Sequence, residues 1–87
     1  MLESKIQSKI IKRLELDGWF VIKLIKTNKN GICDLLALKH DKTMFIEVKT
    51  PTGTIAPLQK YMIQELRDKG FEVKIWTNHE TDFKSGI

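Results

Sequence analysis

The sequence is poor in the residues that stabilise secreted and zinc-bound domains. Its 87 residues include one cysteine, two histidines and two prolines. A lone Cys33 excludes an intramolecular disulfide, and without a CxxC pair there is no thiolate zinc motif. His40 and His79 stand far apart in segments that read as loops, which argues against a nucleophilic site built on histidine. No apolar run approaches the length of a membrane span, and the lysine-punctuated N-terminus lacks a signal-peptide core, so the expected location is intracellular, with no membrane partner. Neither an internal repeat nor a linker interrupts the chain. The reading is a single domain over 1–87, with its core in 2–76 and a polar, partly disordered tail over 77–87. At this length the core of a monomer is only marginally stabilising.

Apolar periodicity supplies the elements. Ile6, Ile10, Ile11 and Leu14 follow helical spacing between Leu2 and Leu16. After the Asp17-Gly18 break, Trp19 to Lys26 reads as a strand. Ile32 to Leu38 and Met44 to Lys49 read as two more, bounded by Asn30-Gly31, His40-Asp41 and Thr50-Pro51. Pro57 suits the first position of a helix running to Lys69, which Gly70 stops, and Phe71 to Trp76 is the last strand. The order αβββαβ predicts an α/β fold, a mixed sheet flanked by helices.

The middle strands carry the most telling residues, Asp34 and Glu47-Val48-Lys49. Side chains alternate faces along a strand, so Asp34, Leu36 and Leu38 share one face, as do Phe45, Glu47 and Lys49. If Leu38 pairs with Thr43, Asp34 falls opposite Glu47, with Cβ atoms roughly 5 Å apart. A one-residue slip separates the carboxylates onto opposite faces, and the expected face for the pair is the one that the first helix covers. Magnesium takes one or two carboxylates together with waters and phosphate oxygens. Asp34 and Glu47 match that demand, with the Val48 carbonyl as a third oxygen. Lys49 then orients or deprotonates a water, or offsets phosphate charge. The competing reading of this spacing is a weak surface ion pair.

Both helices add a polar residue. Glu3 and Gln7 project onto the arc of Ile6, Ile10 and Leu14, although an acid in a first helical turn also suits the macrodipole. Gln59 projects with Met62, Ile63 and Leu66, so its amide points toward the sheet.

Together these residues resemble the PD-(D/E)XK nuclease superfamily, with Asp34 in its first motif and Glu47-Val48-Lys49 in its second. Within it the chain looks like the small stand-alone VRR-NUC nucleases of phages. Gly31-Ile32-Cys33-Asp34-Leu35-Leu36-Ala37-Leu38 is similar to the family's G-x-x-D-L stretch, with Cys33 replacing the commoner proline. Phe45-Ile46-Glu47-Val48-Lys49 matches its catalytic strand, and Pro51 through Gln59 its loop and helix start, with Ala56 where serine is frequent. The resemblance implies a metal-dependent endonuclease using Mg2+ or Mn2+, with branched or four-way-junction DNA as substrate. It further implies Glu3 as the acid of the first helix, a direct or water-mediated metal ligand, Gln59 as a supporting active-site residue, and a homodimer. For the dimer the sequence itself offers only the apolar Trp76, Phe71 and Ile25 near strand ends, equally readable as core. A phage-encoded protein of this kind would act in the bacterial host cytoplasm. Two other readings stay open: a non-catalytic DNA-binding module on the same fold, and a non-specific or flap endonuclease.

Charge agrees with a nucleic-acid partner. The net charge is +4, and phosphate neutralisation by lysine gives salt-sensitive, sequence-independent affinity. Lys23, Lys26, Lys29 and Lys60 are the candidates for DNA contacts. Lys5, Lys9, Lys12 and Arg13 read as a solvated helix face.

Overall fold

The computed structural model describes residues 2–77 and 83–85. Helix α1 (Glu3–Leu16) leads into strands β1 (Phe20–Lys23), β2 (Leu35–Lys39) and β3 (Lys42–Val48), followed by α2 (Pro57–Asp68), β4 (Glu72–Trp76) and β5 (Phe83–Ser85). The strands form one sheet in the order β1-β2-β3-β4-β5. All neighbours are antiparallel except β3 and β4, which run parallel across the α2 connection. The α/β reading therefore holds, and the mixed sheet gains a fifth strand. Residues 83–85, expected in a polar tail, pair with β4; the rest of that tail, Thr77 apart, lies outside the described residues.

One helix covers each face of the sheet. Ile6, Ile10 and Leu14 of α1 pack with Leu35, Ala37, Met44, Ile46, Val48 and Trp76. On the other face Ile63 and Leu66 of α2 pack with Cys33, Phe45, Val73 and Ile75. Strand alternation sorts these two sets, since Leu35 and Ile46 oppose each other on the α1 side and Leu36 and Phe45 on the α2 side. Both helices end on the same hydrogen-bond pattern. The N–H groups of Gly18 and Trp19 donate to Glu15 and Leu14, and those of Gly70 and Phe71 to Arg67 and Leu66, which satisfies carbonyls that a helix end otherwise leaves open.

The β2–β3 hairpin adopts the expected register, with Leu38 opposite Thr43 and Lys39 opposite Lys42. Its two-residue turn places His40 at φ 54, a conformation that histidine tolerates better than most side chains. β1 and β2 are shorter than their apolar runs, while β3 starts earlier than expected, at Lys42. β1 stops at Lys23 instead of Lys26, and β2 starts at Leu35 because Asp34 sits in a bend.

One geometric expectation is overturned. Counting from the Leu35–Ile46 pair, Asp34 and Glu47 lie on the face that α2 covers, not the face beneath α1. Glu3, read as lying on the buried arc of α1, is exposed. Of the apolar residues near strand ends, Trp76 belongs to the core, while Phe71 and Ile25 are exposed.

Gly31 joins the β1–β2 loop to the start of α2. Its φ is +80, and a Cβ there would stand 2.7 Å from Leu58 Cγ and 3.2 Å from the Leu58 backbone carbonyl. A side chain at this position meets both a left-handed backbone and a helix it cannot displace. Gly31→Ala is expected to destabilise the fold by about 1 to 3 kcal/mol, read as a lower urea midpoint; an unchanged midpoint would show that the contact yields freely.

Candidate active site

Glu47 is the one charged residue in the core of the described chain, 1% exposed. Its position follows from the sheet, because the neighbouring strand places Ile75 beside it and α2 closes over that face. One carboxylate oxygen, Oε2, accepts a hydrogen bond from Gln59 Nε2 at 3.1 Å and faces Lys49 Nζ at 3.6 Å. The other, Oε1, has no hydrogen-bond partner among the described residues. A buried carboxylate oxygen without a donor costs free energy that the fold must recover elsewhere.

Asp34 stands beside it for a backbone reason. The chain enters β2 through a bend, so Asp34 Oδ2 accepts the Val48 N–H at 2.8 Å where a strand partner would otherwise stand. The Asp34 N–H donates to the Ile46 carbonyl and its carbonyl accepts from Leu24. The N–H and C=O of a strand residue point to the same edge, so the Val48 carbonyl also lies on Asp34's side. Its neighbour Lys49 turns the opposite way, donating its N–H to Trp76.

These neighbours set the charge state. The Glu47 carboxyl is pushed up to about 8, first by burial and then by the negative charge of Asp34, against the pull of Lys49; hydrogen bonding with Asp34 and the charge of Glu3 add to the rise. The acid pair holds a proton near neutral pH where free carboxyls would have lost it.

Gln59 is oriented by its own helix. Ala56 has no side-chain oxygen to cap α2, and Gln59 Oε1 reaches back to accept the Ala56 N–H at 2.9 Å. With the acceptor end of the amide engaged there, its NH2 end points to Glu47.

The sequence-derived set comes together in part. Asp34, Glu47, Val48, Lys49 and Gln59 form one cluster. Glu3, exposed in the first turn of α1, reaches it only through its field on Glu47. Lys23, Lys26 and Lys29 are exposed on β1 and the loop behind it, and Lys60 on the first turn of α2. Sequence reasoning gave Cys33 no role beyond replacing a proline. It is fully buried, and its thiol is pushed up to about 12 by burial and by the charges of Glu47 and Asp34. Such a thiol is inert as a nucleophile. Its adjacency to Asp34 was the available signal.

Among the described residues, no three His, Cys, Asp or Glu side chains gather as a metal cluster. Two carboxylates and a carbonyl nevertheless fit magnesium, which fills its remaining positions with water and phosphate oxygens, and the unpartnered Oε1 supplies a ready ligand atom. The VRR-NUC domain model matches residues 2–79. The chain belongs to the VRR-NUC family. A comparison with curated proteins found no match. Membership makes this a nuclease-type domain that acts on DNA.

The raised Glu47 pKa fixes the sign of a pH effect in this VRR-NUC domain. Below about 4.5 the carboxyl is protonated in both folded and unfolded chains; between there and about 8 only the unfolded chain gives up the proton. Stability in chelator therefore falls as pH rises through that window and levels off above it. Urea titrations across the window are expected to show this slope in the native sequence and a flatter one in Glu47→Gln; parallel slopes would contradict the burial account.

Proposed function

We propose that the protein is a Mg2+- or Mn2+-dependent endonuclease that hydrolyses DNA phosphodiester bonds, with selectivity for branched or four-way-junction DNA. The observation that carries the reading is the buried Glu47 Oε1, unpartnered beside a second carboxylate. A domain with no cation to bind gains nothing from burying that atom. The alternative of a surface ion pair does not describe a residue 1% exposed.

Asp34, Glu47 and the Val48 carbonyl would hold the cation, with Glu3 acting through water. When bound, the cation polarises the scissile phosphate, stabilises charge on the leaving oxygen and acidifies a coordinated water. Lys49, anchored beside Glu47, donates hydrogen bonds to the attacking water or to a phosphate oxygen and offsets charge that grows as the new P–O bond forms. Gln59 holds the Glu47 carboxylate in one rotamer, so the ligand needs no rearrangement on binding. Lys23, Lys26, Lys29 and Lys60 contact phosphates along the strand.

A homodimer is part of the proposal, since a small core is only marginally stabilising and apolar Phe20, Leu16 and Leu58 are exposed. No helix among the described residues is long and apolar enough to cross a membrane, and an intracellular setting suits a DNA substrate.

Asp34→Ala, Glu47→Ala and Lys49→Ala are each expected to lower cleavage of a labelled four-way junction by about a hundredfold or more, as is excess chelator, with the thermal unfolding transition retained. Gln59→Ala is expected to raise the Mg2+ concentration needed for half-maximal rate about 10- to 100-fold. Full activity in any of the first three variants, or in chelator, would refute the metal mechanism. Binding without cleavage under magnesium and manganese would favour the non-catalytic module, and equal cleavage of linear duplex would remove junction selectivity.

A further inference from the structure

The β1–β2 loop presents an unusual combination of side chains next to the candidate active site. Ile25 is 86% exposed, although it belongs to an apolar run that would ordinarily continue the strand. Lys23, Lys26 and Lys29 flank it, all exposed. A lone exposed isoleucine needs no explanation on most surfaces. Its setting here is different, because the loop is built and anchored.

Three sets of contacts fix that loop. The Leu24 N–H, immediately before Ile25, donates to the Asp34 carbonyl at 2.8 Å. Inside the loop Thr27 Oγ1 donates to the Lys29 carbonyl at 3.0 Å and accepts the Lys29 N–H at 3.1 Å, closing a local turn. At its far end the Ile32 N–H donates to Lys29, and Gly31 packs against the backbone of Leu58 on α2. Ile25 is thus one residue from a backbone hydrogen bond to Asp34, with cations on either side.

We propose that Ile25 is a specificity-determining residue, an apolar wedge that enters the stack of DNA bases at a branch point while the neighbouring lysines hold the phosphates. The proposal rests on the nuclease reading above and adds to it a residue that chooses the substrate. Apolar side chains inserted between base steps unstack them, at a cost that is least where pairing is already broken. A branch point offers such a step, whereas intact duplex charges the full unstacking energy. The lysines alone supply affinity without preference, since phosphate contacts carry no structural information about the bases.

The test uses the full chain and a four-way junction carrying 2-aminopurine beside the branch point, with calcium replacing magnesium so that binding is read without turnover. Binding of the native protein is expected to raise the fluorescence as the base unstacks. Ile25→Ser is expected to abolish that rise and to lose about tenfold in preference for junction over linear duplex. Ile25→Leu should retain both. Lys26→Ala and Lys29→Ala should instead weaken both DNAs alike and reduce the salt dependence by about one counterion each. Exposure of Ile25 leaves the core untouched by these changes, and matching thermal transitions check that. An equal rise with Ile25→Ser, or junction binding by the native protein without any rise, would overturn the wedge while leaving the nuclease reading intact. Loss of cleavage in the Asp34 and Glu47 variants is measured separately, so the two ideas fail independently.

Discussion

A carboxylate taken out of water must find donors or a cation, and Glu47 finds donors for only one of its oxygens. Gln59 and Lys49 serve Oε2, while Oε1 meets no partner among the described residues. The neighbouring Asp34 makes the position worse, because a second negative charge raises the Glu47 carboxyl further. Proteins rarely tolerate such a defect in a core this small, where a few kcal/mol decide whether the chain folds. In the absence of a cation a shared proton lowers the cost. A divalent cation held as proposed between the two carboxylates would make the same arrangement favourable.

Backbone geometry places the pair. The hairpin register puts Asp34 and Glu47 on one face, and the bend before β2 frees Asp34 to accept the Val48 N–H. The capping arrangement of α2 has a double use. Because Ala56 lacks an oxygen, the Gln59 amide serves the helix end with one atom and the Glu47 carboxylate with the other. Helix start and acid orientation are coupled, so changes at Ala56 or Gln59 act on both.

Much of this was legible from local pattern. Alternation and the His40-Asp41 turn suggested the β2–β3 register, which a one-residue slip would have broken by placing Asp34 and Glu47 on opposite faces. Helical spacing placed Gln59 against the sheet. The side of the sheet was not legible, because local alternation says that Asp34 and Glu47 share a face without saying which helix covers it. That choice depends on how two amphipathic helices divide one sheet, a tertiary matter, and it moved the site from beneath α1 to beneath α2. Glu3 was likewise read onto the buried arc from helical spacing, yet in the first turn of α1 it is exposed. β5 escaped notice because Phe83–Ser85 is too short and too polar to signal a strand; its pairing comes from the open edge of β4.

The central claim is that Asp34 and Glu47 form the seat of a divalent cation. Anomalous diffraction from crystals grown with manganese tests it most directly. The account predicts a peak between the two carboxylates, within bonding distance of Glu47 Oε1 and on the side of the Val48 carbonyl, and its loss in Glu47→Gln. A manganese-activated nuclease whose crystals show no peak there, or a peak only at another place, would contradict it.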